Sequence, residues 1–257
     1  MIRVRRKDEA RACPELASLR EAELARVHRS LAAGEQLNAK LLGGRYRVAK
    51  AALAAASAHK CYFCDTRARG SLRGEPVEHY RPKSIYWWLT WSWENLLFSC
   101  YECNLDKGAR FPLADGSTKL ERGQHPPGDE RPMLIDPTAE DPREHIEFRP
   151  VPGGKWLPMA KTERGRVTLE LVCRTDRQYL LVDKWQAHVA AMRPAIDAID
   201  RVMVTEDPRR IQSAWLEHTR RYRQWSAECV ALSLDVLHRR FSAEIERWQL
   251  PLDVIYD

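Results

Sequence analysis

The sequence contains no run of about 18 apolar residues, so no membrane-spanning helix is expected. It has no GxxxxGK[ST] stretch, and without that phosphate-cradling loop the chain is not expected to hydrolyse nucleotides by itself. Internal repeats and low-complexity tracts are absent. The opening MIRVRRKDEARACPEL is charged throughout and lacks the apolar segment of a secretory signal, so cytoplasm is the expected location.

At 257 residues and 44% apolar content, the chain is long enough for one large domain or two small ones with a real core. Its net charge of +6 is unevenly spread. Residues 1–60 carry 13 Lys/Arg against 6 Asp/Glu, whereas residues 61–113 carry 7 against 6. That surplus, which includes Arg3, Arg5, Arg6 and Lys7, fits a polyanionic partner or a solvated helix face.

Helical spacing of Leu16, Leu19, Leu24, Val27 and Leu31 predicts a helix over 14–33, with Pro14 in its first turn. A second, Ala-rich helix is expected over 46–59. Residues 114–132 are polar and turn-forming. Short strands are expected at 133–135 and 145–148, with Gly153-Gly154 turning a hairpin into Lys155-Trp156-Leu157. Helices then dominate, at 162–173, 176–203, 208–222 and 224–248. Four regions result: a basic helical region over 1–60, a cysteine block over 61–113, a loop and small β insertion over 114–160, and a helical region over 161–257 that offers a partner-docking surface.

Four of the seven cysteines form two pairs, Cys61-x-x-Cys64 and Cys100-x-x-Cys103, separated by 35 residues. In a reducing compartment such pairs read as metal ligands. Two thiolate knuckles complete a closed tetrahedral site for structural Zn²⁺, with no open position for water. The zinc can therefore only hold the block together, and any reactivity must come from residues it positions. Cys13, Cys173 and Cys229 read as buried small apolar residues.

Between and after the pairs lie Val77-Glu78-His79-Tyr80, Asn95-Leu96-Leu97-Phe98-Ser99 and Asn104-Leu105-Asp106-Lys107-Gly108. They read as strand, strand and short helix. On a regular strand Glu78 and His79 would face opposite sides. Both can serve one site only if the strand ends there, as Arg81-Pro82 makes it do. Imidazole titrates near neutrality and suits a general base. Glu78 and Asn104 offer hard oxygen ligands for Mg²⁺ or Mn²⁺. Arg81, Lys83 and Lys107 are near enough in sequence to meet phosphate.

This block resembles the HNH, or ββα-metal, endonucleases. Glu78-His79 matches the acidic-His pair of the first strand, Asn95 the middle Asn, and CYECNLDKG the last element, with Asn104 in place of the final His. More narrowly, EHYRPKS, WENLLFSCYECN and DKGARFP resemble the retron-associated and Septu PtuB-type HNH proteins encoded beside ATPases in bacterial anti-phage systems. The resemblance implies an α+β protein, with a zinc-clamped ββα-metal core embedded in a mostly helical chain. It implies DNA cleavage with His79 and Asn95 as catalytic residues, and an ATPase partner that licenses it. The final His is Asn here and the next helical turn offers only Gly108, so metal affinity should be modest and dependent on bound nucleic acid. Three other readings stay open at this level: an RNA-cleaving nuclease, a zinc-held nucleic-acid-binding module without catalysis, and a structural subunit of an ATPase complex.

Overall fold

The computed structural model describes residues 1–67, 76–174 and 179–256. The chain begins with two helices, α1 (Glu9–Ala12), capped by the Asp8 carboxylate, and α2 (Pro14–Ala32). A one-turn helix, α3 (Ala39–Leu42), follows. The expected helix over 46–59 is split. A 3-10 turn, Arg45–Ala49, leads into α4 (Lys50–Ala56), and Ala58 and His59 then take left-handed φ values that end it before the first knuckle.

Two three-residue strands, β1 (Val77–His79) and β2 (Leu96–Phe98), pair antiparallel with His79 opposite Leu96 and Glu78 opposite Leu97. Between them the chain makes two 3-10 turns that bury Trp87, Trp88 and Trp93, with Trp91 buried between the turns. The second knuckle opens α5 (Tyr101–Lys107), which Gly108 ends at a φ of 53°. The local order is thus strand, strand, helix, as expected.

Residues 133–135 do not form the expected strand. The Met133 N–H donates to Pro112 O and the Ile135 N–H to Thr168 Oγ1, so no strand partner remains for them. The hairpin does form, from β3 (Ile146–Pro150) and β4 (Trp156–Ala160). After it come α6 (Glu163–Val172), α7 (Tyr179–Met203), α8 (Pro208–Arg223) and α9 (Val230–Trp248). The expected start of α7 at 176 lies outside the described residues. In α6, Gly165 passes so close to the hairpin that an added Cβ would sit 2.1 Å from His145 O.

The start of α9 is later than the apolar pattern implies, because Cys229 is left-handed and its N–H donates to Asp65 O. The Ala231 N–H also donates to Asp65 Oδ2, at 3.4 Å. Asp65 belongs to the first knuckle, so the cysteine block caps the C-terminal helix. One buried apolar cluster draws on all four regions, from Met1 and Leu16 through Phe98 to Trp215 and Phe241. Among the described residues no helix is long and apolar enough to cross a membrane.

Candidate active site and metal centre

The four paired cysteines come together. Cys61 and Cys64 lie in the turn after α4, Cys100 caps α5 and Cys103 sits in its first turn. Their sulfurs are buried and lie within 4.8 Å of one another. A tetrahedral zinc with bonds of about 2.3 Å sets its sulfurs about 3.8 Å apart, and Cys64 Sγ lies 3.9 Å from Cys100 Sγ. None of these cysteines is in a disulfide. The donor set and spacing fit a structural zinc ion. Hydrogen bonds with the neighbouring thiols, Cys100 first and then Cys173, push the Cys103 thiol well up. Cys13, Cys173 and Cys229 are all buried, as expected. Cys173 nevertheless lies beside the knot, with its thiol 4.0 Å from Phe63 O.

Glu78, His79 and Asn104 line one cleft of about 780 Å³. β1 ends at His79, so the usual alternation breaks and both of its last residues reach the same space. A carbonyl oxygen can only accept, so His79 Nε2–H donates to Thr90 O, at 3.0 Å. In the neutral ring Nδ1 then carries the lone pair. The Tyr46 ring meets the imidazole edge-on at 4.5 Å. Burial first, then the charges of Lys83, Lys107 and Arg47, hold the His79 pKa down to about 3, so the ring is neutral at physiological pH.

Asn95 does not touch the cleft. Its side-chain oxygen accepts from Arg81 N at 2.8 Å, and its amide donates to Arg81 O and Leu89 O. It therefore ties the turn after His79 to the end of the Trp-rich segment, and acts on His79 by position.

Two of the three cations expected to meet phosphate are engaged elsewhere. Lys107 has no exposed surface, and its Nζ donates to Glu78 Oε1 at 2.7 Å and His79 O at 2.8 Å. Arg81 is 8% exposed; its Nε donates to Glu130 Oε2 at 2.5 Å and its guanidinium lies over Tyr80 and Phe111. Glu130 also accepts from Tyr86, so this ion pair anchors the polar loop over 114–132. Lys83 does line the cleft, with Nζ 3.2 Å from Tyr46 Oη.

Burial pushes the Glu78 carboxyl up, while Lys107 pulls it down. Removing one member of a buried pair strands the other charge. Lys107→Met is therefore expected to lower stability by about 3–5 kcal/mol, with much of the loss recovered in the double variant Glu78→Gln/Lys107→Met. Urea unfolding of the three proteins checks this. A single variant as stable as the parent would contradict it.

The chain is similar to Septu PtuB proteins. It is 34% identical over 104 residues to Septu protein PtuB of Bacillus mycoides (strain KBAB4), covering 35% of this chain and 35% of the relative. It is 32% identical over 123 residues to Septu protein PtuB of Bacillus thuringiensis, covering 48% of this chain and 39% of the relative. The chain thus spans little more than a third of the length of these curated relatives. No family model matches the chain, and no solved structure matches it.

Sequence reasoning missed two cleft residues. Arg47 and Lys50 line the wall opposite Asn104, one from the 3-10 turn and one from the first residue of α4. The basic surplus over 1–60 pointed to the region. Which of its cations turn toward the cleft depends on how α4 packs on β2, and composition does not carry that.

Proposed function

We propose that this chain is a metal-dependent endonuclease of the HNH type that hydrolyses DNA phosphodiester bonds, as the nuclease effector of a bacterial anti-phage system working with an ATPase. The observation that carries the reading is the meeting of Glu78, His79 and Asn104 in one cleft, with His79 Nε2 committed to Thr90 O. The similarity to Septu PtuB proteins supports the role in anti-phage defence.

Glu78 and Asn104 would hold Mg²⁺ or Mn²⁺. Their carboxylate and amide oxygens suit hard cations and suit zinc poorly. The fit is supported by the burial of Glu78, which Lys107 offsets only in part, so a second cation is favourable there. When bound, the ion supplies positive charge against the negative charge that develops on the phosphate. His79 Nδ1 carries the lone pair that would take a proton from a water in the cleft, once a bound phosphate offsets the charges of Lys83 and Arg47 that now lower its basicity. Asn95 fixes the turn that aims the ring. Lys83, Arg47 and Lys50 form a cationic wall that binds and orients the phosphate backbone. The four-thiolate knot keeps α5, and with it Asn104, against β1.

The test is nicking of supercoiled plasmid by zinc-loaded protein across a Mg²⁺ titration, with and without the ATPase partner, and with RNA offered in parallel. Mg²⁺-dependent nicking of DNA is expected. Glu78→Ala and Asn104→Ala should lose activity and regain part of it at raised Mg²⁺ or Mn²⁺. Silence of the parent with metal and partner both present would overturn the reading, and cleavage of RNA alone would overturn the choice of DNA.

A further inference from the structure

α4 separates the cleft from a second concavity. Lys50 opens the helix on the cleft side. Ala52, Ala55 and Ala56 lie on the opposite side and floor a groove of about 570 Å³. This follows from helical spacing, because positions two, five and six residues on from Lys50 fall on the far face. The groove is walled by Arg5, Lys7 and Arg11, with the rings of Trp225 and Tyr256 at its side. No carboxylate lines it.

The three cations differ from their neighbour Arg6. Arg6 is committed to the fold, since its guanidinium donates to Leu96 O at 2.7 Å and lies over Trp93. The Lys7 carbonyl accepts from Trp93 Nε1 at 3.1 Å, so the backbone here is pinned to the start of β2. Arg5, Lys7 and Arg11 are exposed. Among the described residues Arg5 and Lys7 have no ion-pair partner, and Arg11 has only an exposed contact to Asp8 at 3.7 Å. Such a pair is weak and easily exchanged.

We infer that this groove is a second nucleic-acid site, which holds the phosphate backbone of a strand leaving the cleft. The inference rests on the nucleic-acid reading above and adds a separate contact outside the cut site. Two observations favour a polynucleotide over an acidic peptide. The cationic wall of the cleft, Arg47 and Lys50, continues across α4 into the groove cations, and the separation is one helix width, about 10 Å. A strand rising 3.4 Å per nucleotide crosses that distance in about three steps. The small alanine floor and the flanking rings also suit bases, which stack on aromatic faces without regard to sequence. The groove thereby accounts for part of the basic surplus of residues 1–60.

The experiment measures oligonucleotide affinity by fluorescence anisotropy in a His79→Ala background, so that cleavage does not intervene. Probes are a long and a short single strand, about 25 and about 3 nucleotides, of DNA and of RNA. The test variant is Arg5→Glu/Lys7→Glu/Arg11→Glu. Because Arg5 also stacks on Tyr256 at 3.8 Å, Lys7→Glu/Arg11→Glu serves as a second variant that leaves that contact intact. Losing three phosphate contacts should make the salt dependence shallower by about 2–3 in log–log slope, a roughly 16–64-fold difference between 50 and 200 mM salt. That loss is expected for the long probe, in proportion for the double variant, and not for the short probe, which Lys83→Ala should weaken instead. Unchanged affinity and slope for the long probe in both variants would overturn the inference. So would unchanged oligonucleotide binding with loss of the ATPase partner, which would assign the groove to a peptide. The binding assay needs no cleavage, so a parent that binds and never cuts would sink the catalytic reading and leave the groove standing.

Discussion

His79→Ala is expected to cut plasmid roughly 10²–10⁴-fold more slowly than the parent at every Mg²⁺ concentration, the usual contribution of a positioned base. The size of the effect separates two roles for the ring. His79 is 6% exposed, so a purely structural role is a real competitor. Removing the ring forfeits the bond to Thr90 O and the edge contact with Tyr46, and leaves a small cavity. That costs about 1–3 kcal/mol of stability, which a domain of ordinary stability survives. A structural role thus predicts a modest loss of folded protein and cleavage that falls in proportion to it. A base predicts a folded, zinc-loaded protein that binds DNA as the parent does and does not cut. Metal dependence sharpens the contrast. On the proposed mechanism, raised Mg²⁺ or Mn²⁺ should restore part of the activity of Glu78→Ala and Asn104→Ala, whose loss would act through the ion, and none of the activity of His79→Ala. Activity of His79→Ala equal to the parent, in any condition where the parent cuts, would end the assignment.

Cys100→Ser is expected to yield unfolded or insoluble protein. Structural zinc contributes about 10–16 kcal/mol in small metal-folded units, comparable to or larger than the whole stability of a typical domain. Cys100 is a severe place to lose a ligand. It caps α5, so the same change loosens the helix that carries Asn104 and the buried Lys107. Cys13→Ser removes none of the four clustered thiols and should cost no more than about 1–3 kcal/mol, the penalty of an imperfectly paired buried hydroxyl. Zinc content by elemental analysis and melting by circular dichroism check both variants. A soluble, cooperatively melting, zinc-free Cys100→Ser protein would show that the knot is dispensable.

The order strand, strand, helix was legible because each piece is local. The paired cysteines, the Pro after Arg81 and the Gly after Lys107 all act within a few residues. The cations were misread because their partners are distant. Lys107 is claimed by a carboxylate 29 residues away and Arg81 by one 49 residues away. Either, read alone, is an unremarkable basic residue beside an active-site motif. Residues 133–135 have the apolar texture of a strand, but their amides are taken by a loop carbonyl and a threonine hydroxyl. The late start of α9 was hidden likewise, because Asp65 caps it from a distance of 166 residues along the chain.

That cap bears on how the cysteine block can be moved between proteins. Lys60 Nζ donates to Asp65 Oδ1 at 2.7 Å and to the carbonyl of Trp225, and both charged side chains are almost wholly shielded from solvent. The knuckle that carries Cys61 and Cys64 is thus completed by backbone from the far end of the chain. Residues 61–113 are therefore not a portable cassette. Excised or grafted alone, they would lose Lys60 and leave the Asp65 carboxylate without its ammonium partner and without the α9 amide that it accepts from. Recombination among related proteins would be expected to exchange this block together with its C-terminal helix, and insertions to gather in the surface turns, where neither the knot nor its distant cap is disturbed.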